Sequence, residues 1–273
     1  MTQRTIARFL LPLFLFLTAA GGAAAADRTE TLLKQAAQAY AQKDYAKAAT
    51  AYDAVLASQA KAIAADSIHH DDLAAVYYNL GNCHYRLKDM AHAVLNYQRA
   101  LRYAPDNDDI RFNLELTRTK LADKFDDPSE MFFVTWAREL VQSESAACWL
   151  KWCFFFLALA CIALLAFLFA PKTAVRKAGF FAAIAMVVLT ATTGLFSAMQ
   201  HHSFTHYRLM VVMKETSART SPSATAREAR KLHEGTTLRL TNSDEKQWLA
   251  ATLPDGTEVW IEKSAAEAVS NVK

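Results

Sequence analysis

Cysteine is scarce: four residues in 273, with Cys83 alone in a soluble stretch and Cys148, Cys153 and Cys161 in or beside one apolar run. That excludes a disulfide framework and any zinc site built from cysteine pairs. Cys83 has no partner within its own stretch, and a buried, inert thiol is expected there, a redox role being the alternative. A Gly-rich phosphate loop and a nucleophile elbow are also lacking. So is charge of one sign: 30 basic and 27 acidic residues are interspersed for a net +3, with no basic stripe for nucleic acid. No catalytic residue, no cofactor and no metal is expected.

What the chain does have is apolar sequence, unevenly placed. Residues 1–26 (MTQRTIARFLLPLFLFLTAAGGAAAA) join Arg4 and Arg8 to an apolar run from Phe9 to Leu17 and an Ala-Ala-Ala exit. This is the pattern of a secretory signal peptide cut after Ala26, with an uncleaved anchor the alternative reading. No cysteine stands at the cut, which excludes a lipoprotein signal. Two further charge-free runs, Trp152 to Ala170 and Ala178 to Met199, lack the polar face of a soluble helix. As helices each rises about 30 Å, the hydrocarbon thickness of a bilayer. Transmembrane helices are therefore expected at 148–170 and 178–200. The loop between them, 171–177 (PKTAVRK), carries Lys172, Arg176 and Lys177 and so belongs on the cytoplasmic side. Both soluble parts then face one extracytoplasmic compartment.

The first soluble part, 27–124, reads as helices. Leu73, Val76, Tyr77, Leu80, Gly81 and Leu87 recur at helical spacing, and so do Met90, Ala93, Val94, Tyr97, Ala100 and Leu101. Lys88-Asp89 makes the turn between the two helices, and Pro105 stops the second. Gly81 and Ala93 allow close approach while Tyr97 fills the space beside them. Tyr77, Leu80, Gly81, Ala93, Tyr97, Ala100 and Pro105 resemble the tetratricopeptide repeat (TPR) in order and spacing; His84 stands where an aromatic is usual. A weaker copy holds Asp44-Tyr45 at its turn, then Ala48, Tyr52 and Val55, with Ala36 at the glycine position. Ala48 and Ala93 lie 45 residues apart against a repeat period of about 34, the excess falling in SQAKAIAADSIHHDD. The segment after Pro105, with Ile110, Leu114 and Leu121 on one face, is expected to cap the stack. Residues 125–147 form a predicted juxtamembrane helix with Met131, Phe132, Phe133, Trp136, Leu140 and Val141 on its aromatic face. It lies in the membrane interface or packs on the repeats.

From about Arg208 the texture changes to short strands, and 208–273 is expected to be a small β domain. LPDGTE is a hairpin turn in which Gly256 takes the positive φ. Trp248, Ala250 and Thr252 alternate with Leu249, Ala251 and Leu253 on opposite faces. Glu234-Gly235-Thr236, Trp248, Asp255-Gly256 and Val259-Trp260-Ile261 resemble a bacterial SH3-like (SH3b) barrel. Gln247 replaces the usual glycine and Ser217-Ala218-Arg219 the usual strand opening. Gly235, Trp248, Gly256 and Trp260 are its expected structural residues, the tryptophans in the core rather than on a ligand platform.

The inner face of a repeat stack is lined by the first helix of each unit, which nominates Tyr78, Asn82, Tyr85, Phe112 and Asn113 as the partner-binding groove. The resemblance adds that some TPR members hold a C-terminal carboxylate with paired asparagines, which Asn82 and Asn113 would supply; the lysines of that clamp are not matched, Tyr78 replacing one. His69-His70-Asp71-Asp72 and His201, His202 and His206 are potential ligands that each lack a matching second cluster. The domain order is similar to that of the TPR proteins of the Bacteroides aerotolerance (Bat) operon family, above all in YYNLGN (77–82) and ALRYAPDNDDIRFNLELTRTKLADK (100–124). That resemblance implies an inner-membrane, non-enzymatic scaffold with both soluble domains in the periplasm. Its implied partners are membrane-bound von Willebrand A-domain proteins and a MoxR-type ATPase, in tolerance of oxidative or envelope stress. Two other readings stand beside it: a cell-wall anchor whose SH3-like domain binds peptidoglycan while the repeats recruit a hydrolase, and a redox or metal-handling protein.

Overall fold

The computed structural model describes residues 23–60, 63, 70–125, 136–137, 140–141, 143–144, 146–205, 208–242 and 247–270. Met1–Pro128 with Arg208–Lys273 form one compact unit and Ser129–Tyr207 a second.

The first unit opens with five helices: α1 (Ala23–Ala41), α2 (Tyr45–Ser58), α3 (His70–Leu87), α4 (Met90–Tyr103) and α5 (Asp108–Arg118). Each packs on the next, as in a repeat stack. The two repeats share one turn design. Lys43 and Lys88 take positive φ (64° and 65°), and the following aspartate caps the next helix. Asp44 accepts from Lys47 N at 3.1 Å, and Asp89 from His92 N at 3.2 Å. Asn107 caps α5 through Ile110 N, with Asp108 and Asp109 in its first turn and Arg118 in its last, the order a helix dipole favours.

Packing between α3 and α4 turns on Gly81. A Cβ there would lie 2.8 Å from two atoms of the Tyr97 ring, so only glycine lets the helices close on that ring. Tyr97 is fully buried, worth roughly 2–3 kcal/mol relative to exposure. Ala36, Ala39, Ala48, Tyr52, Val55, Val76, Leu80 and Cys83 form the core between the repeats. Burial pushes the Cys83 thiol up to about 12, aided by the charge of Asp53, so it stays protonated at neutral pH. Of the long inter-repeat stretch, residues 61–62 and 64–69 lie outside the described residues.

The C-terminal part is an antiparallel sheet in the order β3-β2-β6-β5-β4-β1-β7. Its strands are β1 (Leu209–Val212), β2 (Thr216–Arg219), β3 (Glu228–Leu232), β4 (Thr237–Asn242), β5 (Trp248–Thr252), β6 (Glu258–Glu262) and β7 (Ala266–Ala268). Among the described residues no pairing joins β3 to β7, so the expected closed barrel is observed as an open sheet. The β5–β6 hairpin turns as expected, with Gly256 at φ +85° donating to Leu253 O at 3.0 Å. Leu249, Ala251 and Leu253 pack with Val259, Ile261, Leu238 and Leu232 in the core. Trp248 is buried as expected and Trp260 is half-buried, but both lie outside this cluster. The register Ala250↔Trp260 and Arg219↔Trp260 places both tryptophans and Arg219 on the other face. There the Arg219 guanidinium stands 6.0 Å from the Trp248 ring centre.

The helices and the sheet meet through a strap after α5. A Cβ on Gly235 (φ +88°) would lie 2.5 Å from Leu121 Cδ2, so that glycine is required both by its turn and by the strap. The Asp123 carboxylate accepts from His233 N (2.7 Å) and the Thr236 hydroxyl (2.6 Å) and lies 2.7 Å from His233 Nδ1. Phe125, placed by sequence at the start of the juxtamembrane helix, instead packs on the sheet core with Arg230 4.4 Å over its ring. On the other side, Arg99 of α4 pairs with Glu267 at 2.7 Å and donates to Ala268 O at 3.1 Å.

The second unit is built on α6 (Ala146–Phe169) and α7 (Thr173–Thr205), which pack on each other. Both are long and apolar enough to cross a membrane, and few of their side chains are buried. The connection is shorter than the 171–177 expected. Only residues 170–172 lie between the helices, and Arg176 and Lys177 belong to the start of α7. Arg176 Nε donates to Phe167 O at 3.1 Å, capping a carbonyl that the end of α6 leaves without a helical partner. The predicted signal peptide lies outside the described residues except for 23–26, where α1 begins, and most of the 125–147 helix lies outside them too. In its described part, Trp136 and Leu140 are exposed.

Candidate partner-binding face

The five groove residues expected from repeat phase divide into two sets. Asn113 of α5 and Tyr78 of α3 are each only 7% exposed. Asn113 Nδ2 donates to Tyr78 Oη at 2.9 Å and to Asn82 Oδ1 at 3.0 Å. Tyr97 Oη donates to the same Asn82 oxygen at 2.8 Å. Burial holds the Tyr78 phenol above its usual pKa, so it remains neutral within this network. The expectation that Tyr78 and Asn113 are displayed is thereby corrected. They form a polar lock joining α3, α4 and α5, and both amide protons of Asn113 are engaged inside the stack. A buried group of this kind costs about 1–3 kcal/mol if left unpaired, which is why the lock is closed.

Tyr85 and Phe112 form the second set and stay accessible. Phe112 is 65% exposed, and Leu116, one turn later on α5, is exposed as well. Tyr85 is half-buried; Lys120 Nζ donates to its hydroxyl at 2.5 Å and stands 4.3 Å from the ring centre. The stack thus exposes two features: the apolar pair Phe112 and Leu116, one turn apart on α5, and the Tyr85 ring with the Lys120 cation over it. Repeat phase nominated neither Leu116 nor Lys120. A leucine left exposed one turn beyond Phe112 was the available signal for the first.

The histidine clusters singled out in the sequence are not assembled by the described residues. His201 and His202 sit near the end of α7, while His69 and His206 lie outside the described set. A different group, His84, Asp89 and His92, converges at the α3–α4 turn. Spacing alone hid it, because the three meet only through the tight Lys88 turn.

Residues 74–107 match the tetratricopeptide repeat family, the repeat formed by α3 and α4. No curated protein matches the chain, and no solved structure does. Repeats of this family generally mediate contacts between proteins.

Proposed function

We propose that the chain is a non-enzymatic adaptor of a bacterial inner membrane. On this reading α6 and α7 cross the bilayer as a hairpin, residues 171–177 are cytoplasmic, and the repeats and the SH3-like β domain stand together in the periplasm. The observation that carries the proposal is the exposed Phe112–Leu116 ridge together with Tyr85 and Lys120, on a stack whose Tyr78 and Asn113 are spent on packing. An exposed apolar ridge and an exposed cation on one repeat stack suit an extended or helical peptide with apolar anchors and an acidic group. The two apolar helices and the signal-like N-terminus support the membrane placement. The domain order resembles that of BatE, the TPR member of Bat operons, which supports von Willebrand A-domain proteins and the MoxR-type ATPase system as partners in oxidative or envelope stress.

The test is photocrosslinking in intact cells with a benzophenone amino acid at position 112, followed by identification of the adduct. A von Willebrand A-domain protein as the main adduct, lost in a Leu116→Asp, Lys120→Glu variant, is the expected result. No adduct, or one unchanged in that variant, removes the proposal. Retention of the chain on wall sacculi through the β domain would instead favour the peptidoglycan anchor.

A further inference from the structure

The α3–α4 turn gathers three metal-ligating side chains that repeat packing does not require. His84 replaces the aromatic usual at its place, and His92 stands on the first turn of α4. Nδ1 of His84 lies 3.1 Å from Asp89 Oδ2, and Nδ1 of His92 lies 2.7 Å from the same oxygen. The two rings are stacked, with centres 5.0 Å apart and planes at 22°. All three ligand atoms fall within 4.8 Å of one another. Two imidazoles therefore present the same ring nitrogen to one carboxylate oxygen.

We propose that His84, Asp89 and His92 form a binding site for a divalent transition-metal ion of the zinc type, clasping α3 to α4. Zinc takes imidazole nitrogen and carboxylate oxygen at about 2.0–2.2 Å in tetrahedral geometry, which sets its ligand atoms about 3.3–3.5 Å apart. The 3.1 Å separation needs to open by about 0.2–0.4 Å and the 2.7 Å one by about 0.6–0.8 Å for an ion to replace the shared protons. The carboxylate is held by the backbone: His92 N donates to Asp89 Oδ1, which also lies 2.9 Å from His92 Nδ1, while Oδ2 faces both rings. Asp53 of α2 is close enough for both imidazoles to act on its charge, adding negative potential. The His84 side chain is 16% exposed and that of His92 47%, so an ion can enter from solvent and keep water as its fourth ligand. Two nitrogens and one oxygen favour zinc, copper or nickel over calcium or magnesium, which prefer all-oxygen sets.

The site is independent of the adaptor reading, and its test uses no partner. Full-length chain in detergent is titrated with Zn²⁺ against a chromophoric chelator, beside a His84→Gln, His92→Gln variant and the single His92→Gln, whose half-exposed ring leaves the core intact. Wild type should hold one equivalent of zinc more than either variant, with binding at this site weakened at least about tenfold in both. Zn²⁺, but not Ca²⁺, should also raise the thermal midpoint of the helices by a few degrees in wild type alone. Equal zinc uptake by wild type and a variant that keeps its helical circular dichroism overturns the proposal. So does a wild-type midpoint that zinc leaves unmoved.

Discussion

Gly81 carries no side chain because the Tyr97 ring occupies the place a Cβ would take, 2.8 Å away. Alanine there would gain about 1 kcal/mol of helix propensity. Against that, Tyr97 cannot swing aside: its ring is buried and its hydroxyl is tied to Asn82. Overpacking of a fixed neighbour costs about 1–3 kcal/mol, so the clash wins. Gly81→Ala is expected to destabilise the repeats by up to about 2 kcal/mol net, read as a lower denaturant midpoint with unchanged slope. A midpoint equal to or above wild type would show that the ring yields. Residues of this packing kind were legible in the sequence, since Gly81, Ala93, Tyr97 and Ala100 encode distances within one hairpin. The candidate site was only partly legible. Repeat phase places Tyr78 and Asn113 on the inner face, but their burial follows from α5 lying against α3, across 35 residues of sequence. His84, Asp89 and His92 meet only once the positive φ of Lys88 tightens the turn.

Pairs of helices repeat the same logic in apolar sequence. A Cβ on Gly179 of α7 would lie 2.8 Å from Ala163 O and Phe167 N, both backbone atoms of α6. Backbone cannot rotate away as a side chain can, so the two helices would have to separate. Small residues at such crossings are what let apolar helices associate where no hydrophobic drive remains. Gly179→Val is therefore expected to cost about 1–3 kcal/mol of hairpin stability, seen in detergent as faster proteolysis between α6 and α7. Gly194→Val serves as the control, because a Cβ there meets only Cys153 Sγ, at 3.5 Å. Equal proteolysis of the two variants would refute the contact. The hydrophobic run lengths made both helices readable from sequence. Their junction was not, because the basic residues of PKTAVRK suit a loop as well as a helix start, and the Arg176 bond to Phe167 O is what lets α7 begin early.

At the scale of the molecule, the helices and the sheet form one unit rather than beads on a string. The strap Leu121–Asp123–Phe125 turns alternate side chains to the sheet, and nothing in its sequence periodicity announces that. Asp123 is the most consequential of the three, with a side chain only 6% exposed. Burial by itself would raise its carboxyl pKa. The bonds from His233 N, the Thr236 hydroxyl and the His233 ring, with the charge of His233, outweigh that and hold it below the usual carboxylate range. A depressed folded pKa contributes stability that is present above the unfolded value, about 3.9, and is lost as pH falls through the folded value. Asp123→Asn keeps the shape but puts an amide donor in place of one carboxylate oxygen, facing either the His233 ring or the His233 N–H and Thr236 hydroxyl, an expected loss of about 1–3 kcal/mol near neutral pH. That deficit relative to wild type should shrink as pH falls below about 4, where wild-type Asp123 takes up its proton. Glu215, 3.9 Å from His233 Nε2, stays in both proteins and does not create the difference. Equilibrium unfolding followed across this range by near-ultraviolet circular dichroism measures it. A deficit unchanged well below the carboxylate range would mean that the strap is held by Leu121 and Phe125 packing, and that the buried carboxylate is not what fastens the sheet to the helices.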